Sequence, residues 1–188
     1  MASIKSKKGN GFTLIELLVS VTIFAIVLGV IGSIFMTGFQ SQRRSLAFGT
    51  IFDQASFLME YQSRSLRMAR KELAAPACLS QNGLNYELTR SGRGVKFINS
   101  QNVCQEFYWD VSTNRLKENK GGAEQYLTAS NSEVVAFNIN LAGESQTDDR
   151  QPRVTFFLNL RNRGSRAESQ PSLLIQTSVS QRKLDFQL

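Results

Sequence analysis

Residues 17–39, LLVSVTIFAIVLGVIGSIFMTGF, form an unbroken run of 23 uncharged, mostly apolar positions. Coiled as a helix, that run spans about 35 Å and covers a hydrocarbon core of roughly 30 Å. It is too long for the apolar region of a secretory signal, and no A-x-A-like cleavage site follows it. The segment is therefore expected to cross a membrane once. Its head carries Lys5, Lys7 and Lys8, and Arg43 and Arg44 follow its tail, so charge leans only slightly towards a head facing the cytoplasm. Glu16 stands almost alone against the apolar run. Holding such a charge inside a bilayer costs about 2.5–3.5 kcal/mol or more, which asks for a partner.

Inside the run, Ala25, Gly29 and Ser33 recur every four residues and put small side chains on one helical face. They could seat another helix, or they could face lipid, and Gly29 with Gly32 could make the helix pliable. Beyond Phe39 the apolar spacing changes without a break. Phe48, Ile51, Phe52, Ala55, Leu58, Met59, Leu66, Ala69 and Leu73 recur at three- and four-residue steps between polar positions. The pattern predicts one helix from about residue 12 to 74, roughly 95 Å long, ended by Pro76. Its amphipathic second half must lay an apolar stripe against something.

Short alternating runs downstream supply the counterpart. Leu84, Tyr86 and Leu88 alternate, Ser91–Gly94 turns the chain, and Val95 and Phe97 return as a hairpin. Val103, Phe107, Trp109 and Val111 share a face, and residues 119–122 make the next turn. Val135, Phe137, Ile139 and Leu141 alternate, as do Val154, Phe156, Leu158 and Leu160, and then Leu173, Ile175, Thr177 and Val179. Phe107 and Trp109 are expected in the core with Tyr108 facing out. The reading is an α+β chain of six to eight mostly antiparallel strands, one face covered by the helix. Its parts are a basic head (1–11), a membrane helix (12–39), a helical stem (40–75) and a mostly-β domain (76–188).

The formal charge of +7 does not by itself point to nucleic acid, because residues 78–188 carry 13 basic against 11 acidic side chains. Arg64, Arg67, Arg70 and Lys71 make the densest basic cluster, but Glu60 stands four residues before Arg64 on the same helix. With no histidine, no phosphate-cradling glycine motif and no catalytic constellation, neither an enzyme nor a metal or cofactor is expected. Cys78 and Cys104 are the two cysteines. They fit one disulfide if the domain lies outside the cytosol, and two buried thiols otherwise.

The sequence GNG-FTLIELLVSVTIFAIVL, after its short basic leader, resembles the processing site of type IV pilins and of the pseudopilins of type II secretion systems. The resemblance implies cleavage by a prepilin peptidase between Gly11 and Phe12, N-methylation of Phe12, and an assembly role for Glu16 as the fifth mature residue. The new α-amine has a reference pKa near 8, and Glu16 lies one turn away on the same face. Further implied partners are other pilin-type subunits, an inner-membrane assembly platform, and membrane lipid before assembly. The long stem and β domain look like the larger minor pilins and the J-type minor pseudopilins. The location implied is the inner membrane, single-pass, with the N-terminus inside and the β domain outside, and then the filament. The alternative is a minor pilin of a DNA-uptake pilus with a DNA-binding surface. Many major pilins kink this helix at a proline, which residues 17–39 lack.

Overall fold

The computed structural model describes residues 11–73, 77–144, 150–164 and 170–182. The leader lysines and Pro76 lie outside them. Two compact units result, Met1–Gln42 and Arg43–Leu188, and one helix, α1 (Leu14–Arg67), contributes residues to each. In the first unit every described side chain is exposed, because an apolar stripe on all sides of a lone helix has no protein to bury against. The hydroxyls within residues 17–39 bond to their own backbone, as Ser20 to the Glu16 carbonyl (2.8 Å) and Thr37 to that of Ser33 (2.9 Å). Such local pairing lets polar side chains sit on a membrane helix without orphan donors.

The second unit packs the remainder of α1 on two antiparallel sheets. The first sheet runs in the order β1 (Tyr86–Thr89), β2 (Gly94–Ile98), β3 (Cys104–Asp110), β4 (Arg115–Lys120), β5 (Ala123–Tyr126). The second runs β6 (Ser132–Ala142), β7 (Arg153–Asn162), β8 (Ser172–Ser180). The α+β reading and its antiparallel strands stand. One core joins α1 to both sheets: Ile51, Ala55, Leu58 and Leu66 meet Tyr86, Val95, Phe97, Phe107 and Leu116 of the first sheet. Phe137, Val154, Phe156, Leu158, Leu160 and Val179 come from the second. The turn expected at 119–122 joins β4 to β5. Gly121 and Gly122 take φ of 60° and 92° there, the left-handed region in which glycine has no steric penalty.

Several expectations need correction. α1 ends at Arg67, not near residue 74; the chain then turns extended, with Arg70 bridging to Ile98. Leu73 is therefore 82% exposed, while Ala69 is buried outside the helix. Phe48 and Phe52 also face solvent, because the sheets cover only the face centred on Ala55, Leu58 and Gln62. Leu88 and Val111 lie outside the core. In β6 a bulge between Val134 and Ala136 shifts the alternation, so Val134 is buried and Val135 exposed.

Tyr108 points away from the core, as its alternation with Phe107 requires, yet it is only 2% exposed, and Trp109 packs only partly on the core. The outer face of the sheet is covered by its own polar side chains. The Arg90 guanidinium lies 3.6 Å from the Tyr108 ring centroid, and burial pushes the phenol up to about 12.

Asp110 ties the β3–β4 turn together. Its carboxylate accepts from Lys117 (2.7 Å), from the Ser112 amide (3.0 Å) and hydroxyl (2.6 Å), and from Thr113 (3.0 Å). The Lys117 bond, with the Ser112 and Thr113 bonds, holds Asp110 well below its ordinary 3.8. A depressed carboxylate contributes stability that is present above pH ~4 and lost as pH falls through its folded pKa. Lys117 is raised, chiefly by the same bond, so its share is present at lower pH and lost above pH ~10.5. Melting temperature should accordingly decline on both limbs, and Asp110→Asn should shallow the acid one. An unchanged acid limb in that variant, followed by circular dichroism, would contradict the assignment.

Candidate functional site

Gly11, Phe12 and Thr13 precede α1, and Glu16 lies in its first turn. An apolar, proline-free sequence propagates the helix, and the local polar residues start it. The Thr13 hydroxyl donates to Glu16 Oε2 (3.5 Å), and the Glu16 amide donates back to Thr13 Oγ1 (3.4 Å). This is the Ser/Thr-x-x-Glu capping pattern, written in the sequence as Thr13-Leu14-Ile15-Glu16. The spacing alone carries this capping signal. Glu16 also lies at the positive end of the helix dipole, worth about 0.3–1 kcal/mol at an exposed site.

The neighbourhood of this turn is open. Phe12 is 79% exposed, Leu14 and Ile15 likewise project outward, and a Cβ built on Gly11 meets nothing within 4 Å. The junction lies outside any helix or strand and is exposed, and no packing constraint demands glycine there. Ala25, Gly29 and Ser33 are exposed, a Cβ on Gly29 also meets open space, and the Ser33 hydroxyl bonds to the Val30 carbonyl (2.8 Å).

Elsewhere the structure joins Cys78 to Cys104 in a disulfide with Cα atoms 5.4 Å apart. The basic cluster is largely engaged within the chain: Arg64 pairs with Glu60, Arg70 donates to Asn102 (2.8 Å), and Lys71 also has a partner. Sequence reasoning missed Glu118, a fully buried acid on β4. The Tyr61 hydroxyl donates to it at 2.8 Å, and the Gln105 and Gln125 amides donate as well. Burial and then the Glu118 bond push Tyr61 up to about 12. In RLKENK only the two-residue step from Leu116 to Glu118 hints at an inward side chain.

Among the described residues an accessible junction, one apolar helix long enough to cross a bilayer, and a disulfide-linked sheet domain come together, which supports a membrane-anchored protein. Residues 6–32, which include the junction and Glu16, match the family model for the prokaryotic N-terminal methylation motif. That motif supports the type IV pilin and pseudopilin family, whose members are processed by prepilin peptidase, assemble with other subunits, and are structural rather than catalytic. Searches of curated proteins and of solved structures found no match.

Proposed function

We propose that this chain is a minor pilin or minor pseudopilin, cut between Gly11 and Phe12, methylated at Phe12 and built into a type IV pilus or type II secretion pseudopilus. The observation that carries the reading is the methylation motif over residues 6–32, lying across an exposed junction at the head of a bare apolar helix. The released Phe12 amine of a neighbouring subunit is the partner of Glu16. Among the described residues that carboxylate accepts one long bond, from the Thr13 hydroxyl (3.5 Å), which leaves it available for a charged partner. Pairing also neutralises it within the apolar bundle. Ala25, Gly29 and Ser33 offer a close-packing face to adjacent helices. The Cys78–Cys104 disulfide supports a sheet domain outside the cytosol, with the helix crossing the inner membrane and the head on its cytoplasmic side. The protein is a substrate and a subunit, not an enzyme.

Glu16→Ala tests the pairing. Processing should continue, whereas recovery in sheared filaments should fall roughly a hundredfold, as expected when one partner of a buried pair worth about 3 kcal/mol is removed. Glu16→Gln, which keeps the shape without the charge, should behave in the same way. Normal incorporation of a correctly processed Glu16→Ala chain would reject the role.

A further inference from the structure

The connection between α1 and β1 is pinned around one residue. The Glu72 amide donates to the Leu84 carbonyl (2.9 Å), and the Gly83 amide donates back to the Glu72 carbonyl (2.7 Å). The Glu72 side chain is 3% exposed, and its Oε2 accepts from the amides of Cys78 (3.1 Å) and Leu79 (3.3 Å). Cys78 is bonded in turn to Cys104, the first residue of β3. Glu72 thus closes a clasp through its backbone and its carboxylate together, and the disulfide ties that clasp to the first sheet.

Asn82 and Gly83 form a turn at the closing end of the clasp. Asn82 is exposed, and Gly83 takes a φ of 90°, where glycine has no steric penalty. Among the described residues this is the one asparagine followed by glycine. The pair has a reaction of its own, because no Cβ on Gly83 shields its nitrogen from the asparagine side chain. Once hydroxide removes its proton, the Gly83 nitrogen attacks Asn82 Cγ. The new N–Cγ bond closes a succinimide, the Cγ–Nδ2 bond breaks, and Nδ2 takes a proton from water and leaves as ammonia. Water then opens the ring at either carbonyl, to give aspartate or an isoaspartate whose main chain runs through Cγ. In the native chain, however, the nucleophile is engaged. Its proton is held by the Glu72 carbonyl, and that bond must open before the nitrogen can turn towards Cγ.

We propose that Asn82 is a deamidation site whose rate is set by the Glu72 clasp and the Cys78–Cys104 disulfide, so that the amide persists in the intact oxidised domain and is lost when the clasp opens. The change is one-way. It adds a carboxylate to a cavity of about 500 Å³ that Glu87 and Glu144 already line, where like charges repel. Isoaspartate also lengthens the main chain between the bonded residues 72 and 84. The inference goes beyond the subunit reading and does not depend on it.

The test holds the full chain, in detergent and mildly alkaline buffer, and follows the Asn82 peptide by mass spectrometry for exchange of amide for acid. The same chain unfolded in urea supplies the unrestrained rate. Folded, oxidised wild type should convert about tenfold more slowly or less, the factor expected from opening one backbone bond. Cys78→Ser with Cys104→Ser should recover most of that difference, and Glu72→Ala, which leaves the disulfide in place, should recover part of it. In the wild type, with no substitution, the Gly83 amide should exchange slowly with deuterium. Four results would overturn the proposal: no conversion at Asn82 in urea, equal conversion in the folded and unfolded chain, a native rate unchanged in both variants, or rapid exchange of the Gly83 amide in the oxidised wild type.

Discussion

Gly11→Leu should leave the precursor as the sole species in the membrane, with no chain beginning at Phe12. A side chain at this position meets nothing within 4 Å, and the residue lies ahead of the first turn of α1, so the substitution disturbs neither the helix nor the sheet domain. On the proposed cleavage between Gly11 and Phe12, whatever it changes is seen by the peptidase. The effect should then be close to all-or-none because the reacting carbonyl would be that of Gly11, and a branched side chain beside it displaces that carbonyl from the attacking group; misplacement of about 1 Å can cost a hundredfold in rate. Mass spectrometry of the wild type should find an N-terminal methylated Phe12. A Gly11→Leu chain that migrates as the processed form would remove the cleavage assignment.

The second large effect lies in the sheet domain. Glu118→Leu should lower stability by about 3 kcal/mol or more, because the Tyr61 hydroxyl and the Gln105 and Gln125 amides lose their acceptor, and a buried unmatched donor costs about 1–3 kcal/mol. For a chain of this size that corresponds to a fall of roughly 6–12 °C in melting temperature. Tyr61→Phe, which removes one donor and leaves the other two satisfied, should cost only about 0.5–1.5 kcal/mol. The contrast is diagnostic. Equal melting temperatures for Glu118→Leu and wild type, in the full chain in detergent, would show that the buried carboxylate does not hold α1 to β4. The Tyr61 pKa near 12 adds a spectroscopic check: in Glu118→Gln the phenol should titrate lower, since an amide oxygen repels phenolate less than a carboxylate does.

How much of this was legible beforehand follows from the range of each interaction. The apolar helix, the motif-bearing junction and Glu16 are written in consecutive residues, and so is the Thr13–Glu16 cap. Val154, Phe156, Leu158 and Leu160 could be placed inward because an unbroken alternation has period two whatever lies around it. The equally regular Val135 could not, because one extra residue at the bulge moves the alternation to the opposite face. Phe48, Phe52 and Leu73 mislead for a different reason: helical spacing reports which residues share a face, not how far the partner sheet extends along it.

By itself, then, the sequence determined that this chain has one apolar helix long enough to span a membrane, a motif-bearing junction at its head, and a sheet domain after it. Those properties depend on hydrophobicity and spacing over a few turns. Only the tertiary structure decided that Glu118 is buried, that Tyr108 lies under Arg90, and that β8 is the uncharged strand left at an edge. Each depends on side chains or strands far apart in the sequence, and the burial of a polar group becomes tolerable only when such distant partners satisfy it.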